Sequence, residues 1–456
     1  MQCFPVVSRQ GADMLDGMST TTSIGTSQST RLAINGGTPA VGKDIVFRTW
    51  PAVDASDEAL VLASLRQDKH AGGGPHTRML TEEFAAWNGN KYVMATNAGT
   101  AALHMCVAGV GVQAGDEVIT TALSWTSSAT AIIHHNAIPI FVDVNWDDML
   151  IDPRKVEAAI TPRTKAILIV HYWGLACDMD AIMAVARKHN LKVIEDACQA
   201  HGATFKGKKV GTIGDAGAFS LNQNKNLCGG EGGFFVTNDQ AVFDRGKALA
   251  SFSDMRPLEA GRDYHDRGLG WMYRTTDLNA AFALGQLRKL DKTNAHARAN
   301  WAYLDERLGN LPNFTRPFTS EDRPVNGYAY VLRADPAYAK KRGVALSDLT
   351  NAIRDALRAE GLPVSRANWL LPAHTIFQAK DAYGKGSPWS DGHARKDISY
   401  DLKQYPVAQD CVDTCMWNIN AHRPPNEQPA LDAFVAAVTK VFENLDELQI
   451  PAPAAK

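Results

Sequence analysis

The seven cysteines, at positions 3, 106, 177, 198, 228, 411 and 415, include no C-x-x-C pair, so the sequence offers neither a zinc knuckle nor a regular disulfide framework. No stretch of eighteen apolar residues is present, and the first residues lack the basic-then-apolar order of a secretory signal. Charge of one sign is lacking too. With 47 basic and 49 acidic residues the net charge is -2, which gives no electrostatic footprint for nucleic acid and no polybasic membrane patch. These absences lead to the expectation of a reduced, cytoplasmic protein with no nucleic-acid partner and no membrane partner. What is present is ordinary globular composition: of 456 residues, 45% are hydrophobic and 21% charged, enough for a large core or for two to three domains.

Several apparent motifs fail on their chemistry. Gly37, Gly42 and Lys43 have P-loop spacing, but Asp44 stands where the magnesium-binding hydroxyl belongs and no strand precedes it. Asp143, Asn145 and Asp147 open like an EF-hand, yet Asp148 takes the glycine position and Arg154 the twelfth, where a cation would be repelled. His134 and His135 are adjacent, so on a helix their rings diverge and share no metal. The sequon at Asn313 to Thr315 reads as a chance match in a chain without a signal. No metal site is expected.

Ser19 to Thr30 is almost wholly Ser, Thr, Gly and Gln, and residues 1–30 read as a flexible extension that cannot offset the entropy of ordering. A helix is predicted at Ala55 to Leu65 and another through Glu82 to Trp87. Apolar strand-like runs then follow at Tyr92 to Ala95, Glu117 to Thr120, Ile138 to Asp143, Ala166 to Val170 and Lys192 to Glu195. Helical stretches at Ala101 to Val110, Ser127 to His135, Pro153 to Ile160 and Met179 to His189 alternate with them. Such alternation, with strands apolar on both faces, implies a mostly parallel sheet covered by helices. A long helical pattern spans Thr276 to Leu308, and we place a large domain at 31–310. Beyond it, a strand at Gly327 to Arg333 and helices at Leu346 to Glu360 and Ala430 to Leu445 imply a smaller α+β domain over 311–456, with Trp389 to Lys403 as a polar surface loop.

Ligands of parallel sheets bind outside the carboxyl ends of strands, so those positions are read first. The strand ending in Glu195 and Asp196 places a carboxylate there. Further on, Phe219 and Ser220 lead into Asn222, Gln223, Asn224 and Lys225, and then into the glycine-rich run Gly229 to Gly233. A lysine between a strand and a glycine-rich turn can be desolvated for Schiff-base chemistry; by itself it could equally be a solvated loop lysine. Pyridoxal 5'-phosphate needs a lysine for its aldehyde, an aspartate for its ring nitrogen and donors for its phosphate, and Asp196, Ser220 and Lys225 supply these in order. Gly99 and Thr100 follow a strand and open a helix, where free amides suit a phosphate, and Trp125 follows the next strand, where it can stack on a flat ring.

The sequence resembles the fold-type I pyridoxal-phosphate sugar aminotransferases of the DegT/DnrJ/EryC1/StrS group. The matching pieces, in the family's order, are GDEVITTALSW (Gly115 to Trp125), AIPIFVDV (Ala137 to Val144), EDACQAHGATFKGKKVG (Glu195 to Gly211), GDAGAFSLNQNKNLCGGEGG (Gly214 to Gly233) and TDLNAAFALGQL (Thr276 to Leu287). The resemblance implies an aspartate-aminotransferase-like α/β fold, with a mainly parallel seven-stranded large domain and a smaller C-terminal α+β domain. It implies that Lys225 links to the cofactor and moves the proton, and that Asp196 pairs with the pyridine nitrogen. Gln199 would meet the phenolic oxygen, Trp125 would stack on the ring, and Gly99, Thr100 and Ser220 would bind the phosphate. It further implies a homodimer, and transfer of an amino group from glutamate or glutamine to a nucleotide-linked keto-sugar or a keto-cyclitol. A lyase or dehydratase on a similar sugar, or a non-catalytic cofactor-binding regulator, would use the same contacts. Members often carry an asparagine where this chain has Met272, so the shared dimer contact is altered. Arg274 is a candidate for a substrate anion, as are Arg262, Arg267 and Arg366 for a diphosphate; His171 is read either as a substrate contact or as a satisfied structural histidine.

Overall fold

The computed structural model describes residues 31–253, 258–261, 263–265, 268–366, 370–418 and 421–451. The expected extension at 1–30, and Arg262 and Arg267, lie outside the described residues. Helices α1 (Ala55–Leu65) and α2 (Pro75–Asn88) precede an alternating run: β1 (Tyr92–Thr96), α3 (Gly99–Gly109), β2 (Glu117–Thr121), α4 (Ser127–His134), β3 (Ile138–Val142), α5 (Pro153–Ala158), β4 (Thr164–Val170), α6 (Met179–His189) and β5 (Lys192–Asp196). A short hairpin of β6 (Thr204–Phe205) and β7 (Lys208–Lys209) leads to β8 (Ala216–Ser220) and β9 (Gly233–Thr237). Helices α7 (Gln240–Ala250), α8 (Asp277–Arg288) and α9 (Leu290–Leu308) follow.

Seven strands form one sheet in the order β1-β9-β8-β5-β4-β2-β3. Neighbours from β3 to β8 are parallel, and β9 runs antiparallel to both β8 and β1. Every residue of β2, β8 and β9 is buried, as strands covered on both faces require. Helix α3, packed between the sheet and α7, is apolar nearly all round for the same reason. Local chemistry sets the ends of several helices. The Asp54 carboxylate accepts from the amides of Ser56 and Asp57 while Asp57 reaches back, closing a capping box on α1. Asp178 caps α6 by accepting from Ala181, and Asn190 ends it in the left-handed region at φ 53°.

The long helix predicted over Thr276 to Leu308 is two helices that break at Lys289. There the lysine Nζ meets Asp54 Oδ2 at 2.8 Å and Asp57 Oδ2 at 2.5 Å, so the break joins α8 to the cap of α1.

Past α9 come β10 (Tyr330–Arg333), α10 (Pro336–Arg342), α11 (Leu346–Ala359), β11 (Ser365–Arg366), α12 (Thr375–Ala379), α13 (Pro406–Thr414), β12 (Cys415–Asn418) and α14 (Gln428–Glu443). The three strands form an antiparallel sheet in the order β10-β12-β11. Two apolar cores are present, and they do not part at residue 310. Leu32 and the end of α9 (Trp301, Leu304, Leu308) pack with α11 and α14 in the second core. Conversely, Leu371, Phe377, Ile398, Tyr400, Tyr405 and Cys411 pack with the large sheet. The stretch Trp389 to Lys403 is accordingly more than a surface loop. Trp389 Nε1 donates to Tyr400 OH at 2.9 Å, and that hydroxyl donates to Pro139 O at 2.8 Å on β3, covering the edge strand of the sheet. Among the described residues the six cysteines are free, and no helix is long and apolar enough to cross a membrane.

Candidate active site

The carboxyl ends of β1, β2, β4, β5 and β8 open on a cleft of about 430 Å³. Lys225, Asp196, Gly99, Thr100, Trp125, Gln199 and Ser220 all line it. Sequence separations of more than a hundred residues are closed here by the parallel topology.

Asp196 ends β5, 4% exposed. Its Oδ2 accepts from Ser128 Oγ at 2.7 Å and its Oδ1 from the Cys198 amide at 3.1 Å, so the carboxylate is held in one orientation. Ser128 is in turn paired with Ser124 at 2.8 Å. Glu195, one residue earlier, faces the other side of the sheet as strand alternation demands. It accepts from the amides of Gly211 (2.7 Å), Ile213 (2.8 Å) and Gly214 (2.6 Å) and from His171 Nε2 (3.0 Å). Burial pushes its pKa up, but the bonds from His171, Gly214 and Gly211 outweigh that, and the net shift is downward.

That arrangement corrects one expectation. His171 is fully buried, its Nε2 bound to Glu195 and its Nδ1 accepting from the Cys177 amide at 3.1 Å. Both ring nitrogens are used, the proton belongs on Nε2, and the ring does not border the cleft. His171 is the structural histidine, not a substrate contact.

Helix α3 begins at Gly99 with Ala98 as its cap residue, and Ala98 has no side chain able to satisfy the first amides. A side chain at Gly99 would place its Cβ 2.8 Å from Ser220 Cβ and 3.1 Å from Cys198 Sγ, so only glycine lets β8 approach this closely. Thr100 Oγ1 and Ser127 Oγ lie 2.7 Å apart beside those amides. Free amides, the positive end of the helix and three hydroxyls form a cradle for a phosphate. Gln199 fixes its carboxamide oxygen on the Trp173 amide at 2.8 Å, which leaves its nitrogen as the remaining donor. Trp125 is 51% exposed at the cleft.

Lys225 sits in the turn between β8 and β9. Its amide donates to Asn222 O at 2.9 Å, and its carbonyl accepts from Trp50 Nε1 at 2.8 Å. Its Nζ is 3.4 Å from Tyr328 OH. Beneath this turn lies the guanidinium of Arg423, 1% exposed, donating to Asn224 O at 2.8 Å and Tyr328 O at 2.6 Å; burial, first of all, holds its pKa down to about 10. His201 nearby is pushed down to about 3 by burial and then by the charges of Lys225 and Arg423. The Cys198 thiol is pushed up by burial, so it is a poor nucleophile.

Among the described residues, Arg274 and Arg366 do not line the cleft. Arg274 pairs through its backbone with Thr96, is exposed, and does not line the cleft. Arg366 is spent on Ser347 O (3.3 Å), Asn351 Oδ1 (3.0 Å) and Val412 O (2.9 Å). Sequence reasoning missed Tyr328, Ser128, Trp50 and Arg423, and gave Trp417 no role in the cleft. The local signal for Ser128 was its place just after Trp125; the others reach the site only through tertiary packing.

A lysine, an oriented carboxylate and an anion cradle at one end of a parallel sheet are the parts of an amino-group transferase that works through a phosphorylated cofactor. Residues 51–363 match the model of the DegT/DnrJ/EryC1/StrS aminotransferase family. The chain is 36% identical over 367 residues to an L-glutamine:2-deoxy-scyllo-inosose aminotransferase of Streptoalloteichus tenebrarius, covering 75% of this chain and 82% of that one. It is 34% identical to the GDP-perosamine synthase of Caulobacter vibrioides, over 73% of this chain and 87% of that one. The solved structure of 3-amino-5-hydroxybenzoic acid synthase superposes with a TM-score of 0.76 at 27% identity, covering 88% of this chain and 98% of that one. The chain belongs to the DegT/DnrJ/EryC1/StrS aminotransferase family, and it is an aminotransferase.

Proposed function

We propose that the protein uses pyridoxal 5'-phosphate to move an amino group from glutamine or glutamate to the ketone of a cyclitol or of a nucleotide-linked sugar. The observation that carries this reading is the convergence of Lys225, Asp196 and the uncapped start of α3 on one cleft. The relatives' names support the coarse substrate class, one naming glutamine with a keto-cyclitol and one a nucleotide-linked sugar. The cofactor, when bound, supplies an electron sink that stabilises the carbanion left by removing the proton from the amino-bearing carbon. The chain's own groups do the rest. The amides of Gly99 and Thr100, with Ser220, hold the phosphate; Asp196, oriented by Ser128 and the Cys198 amide, keeps the ring nitrogen protonated. Gln199 donates to the phenolic oxygen and Trp125 covers the ring face. Lys225 Nζ is the amine that would hold the cofactor and that, when free, would accept and return a proton at the cleft. Tyr328 OH gives the free amine a hydrogen-bond partner.

We also propose a cytoplasmic homodimer. Phe252 (36%), Leu269 (71%), Trp271 (44%) and Met272 (47%) are exposed on a segment that abuts the phosphate cradle, where Asn97 N donates to Tyr273 O at 2.8 Å.

The test is the visible spectrum of the purified protein with pyridoxal 5'-phosphate, before and after L-glutamine or L-glutamate. A visible band that gives way to a shorter-wavelength band on adding donor is the expected result. Restoration of the first band by a keto-cyclitol or keto-sugar completes the cycle. A visible band that ignores both donors would count against amino transfer from these compounds, and no visible band at all would remove Lys225 from its role.

A further inference from the structure

Arg423 lies between β12 and α14, 1% exposed, and the three oxygens it donates to are uncharged: Asn224 O at 2.8 Å, Asn226 Oδ1 at 3.1 Å and Tyr328 O at 2.6 Å. A buried guanidinium held by neutral oxygens is costly to keep, since none of these partners brings a charge to offset its lost hydration. Its geometry shows what that cost supports. Asn224 and Asn226 flank Lys225 in the chain, so one planar fork grips the turn on both sides of the lysine. The same Nη2 that meets Asn226 also meets the main chain of Tyr328.

The guanidinium faces two rings as well. Its Cζ is 4.8 Å from the centroid of the Tyr328 ring and 5.5 Å from that of Trp50, whose Nε1 donates to Lys225 O at 2.8 Å. Lys225 Nζ and Tyr328 OH are 3.4 Å apart, and both ends of that contact are fixed by this one group. The lysine is held through its turn, the tyrosine through its carbonyl and its ring face. Asn326 adds a second hold on the tyrosine, its Oδ1 accepting from Tyr328 N at 2.8 Å while its Nδ2 donates to Gln199 O at 3.1 Å.

We propose that Arg423 is a positioning residue that sets the Tyr328 hydroxyl against the Lys225 amine, and that this contact aims the amine for its reaction with an aldehyde. The proposal rests on the cofactor reading above and deepens it. In that reaction the amine nitrogen bonds to the aldehyde carbon, and the aldehyde oxygen leaves as water with both amine hydrogens; holding the amine in one direction favours the first of these events. The test is the rate at which the visible band grows when pyridoxal 5'-phosphate is added to the cofactor-free full chain, in the parent, Tyr328→Phe, Arg423→Lys and the double variant. Beside it, the Kd of pyridoxamine 5'-phosphate, which has no aldehyde, is measured for each protein. Tyr328→Phe and Arg423→Lys, which keeps the charge without the fork, are each expected to slow the band about fivefold, the worth of one hydrogen bond, and to leave that Kd within about twofold of the parent's. Because Arg423 acts through Tyr328, the double variant is expected to be no slower than Tyr328→Phe alone. Folding is checked by the unfolding midpoint, and should Arg423→Lys not fold, Asn226→Ala, which removes one of the fork's acceptors, carries the same expectation. Either single variant at the parent's rate, slowing that multiplies in the double variant, or a Kd that weakens in step with the rate would each overturn the proposal. A parent protein with no visible band would overturn the cofactor reading itself, and the proposal with it.

Discussion

Asp196 and Glu195 are neighbours on one strand with different work, and the difference lies in their surroundings. Asp196 meets one hydroxyl and one amide and borders the cleft; Glu195 meets three amides and a histidine and is sealed behind the sheet. Replacing the Glu195 carboxylate leaves buried donors without an acceptor, a cost of about 1–3 kcal/mol. Glu195→Gln is therefore expected to lower the midpoint of chemical unfolding, and an unchanged midpoint would refute the structural role. Because the folded pKa lies below the ordinary carboxylate value, the contribution of Glu195 is fully present above that value and is lost as pH falls through the folded pKa. Acid unfolding should thus flatten in the Gln variant below roughly pH 4. Lys225→Ala should bind it without a covalent link and lose transamination, read from the visible spectrum and a glutamine assay; surviving turnover would exclude the lysine. Gly99→Ala puts a methyl against Ser220 and Cys198, an overpacking of about 1–3 kcal/mol. It should raise the Kd for pyridoxal 5'-phosphate roughly tenfold or more in a titration of cofactor-free protein.

Among the elements, the segment over 370–415 shows how a tertiary contact overrides local texture. Trp389 to Lys403 is polar and glycine-bearing, yet Tyr400 carries it onto the sheet by accepting from Trp389 and donating to Pro139 O. Tyr400→Phe leaves both partners unsatisfied, a cost of about 1–3 kcal/mol, and should speed proteolytic cutting near 385–396 while the cofactor still binds. Equal cutting rates in the two proteins would place that edge's protection elsewhere. Local rules were legible where local chemistry decides. The helices at Ala55 to Leu65 and Met179 to His189 were predicted within their observed bounds, and the alternation of strands and helices gave the parallel sheet. The break at Lys289 was invisible locally, and the carboxylates of Asp54 and Asp57 that its side chain meets lie more than two hundred residues away. Tyr328, Arg423 and the cleft position of Trp417 were hidden for the same reason, since a small antiparallel sheet must first fold and dock before they meet Lys225. His171 stayed open between two readings because the end of a strand suggests a ligand, whereas the buried carboxylate that claims the ring lies on the neighbouring strand.

At the scale of the whole molecule, one stretch of chain carries several exposed apolar side chains close together in sequence. Phe252, Tyr264, Leu269, Trp271 and Met272 are each at least 36% exposed and lie within one stretch of chain, next to the phosphate cradle. Apolar surface of this kind is where the proposed homodimer would form its interface, whereas isolated exposed residues need no explanation. The segment is also anchored to the site. Thr96 pairs with Arg274, and Asn97 N donates to Tyr273 O, so any movement of this segment bears on the start of α3 two residues later. The Trp271 and Tyr273 rings lie nearly parallel, their planes 5° apart, and Tyr273 OH lies 2.9 Å from His104 Nδ1, which ties this face to α3. If a second copy covers this face, a charge placed at Trp271 must be desolvated on association and opposes it. Trp271→Asp should then sediment as a monomer at concentrations where the parent protein is a dimer. It should also bind pyridoxal 5'-phosphate more weakly, because the segment beside the cradle loses its support. A parent protein that sediments as a monomer would remove the interface, and a dimeric Trp271→Asp variant with unchanged cofactor affinity would place it on another face.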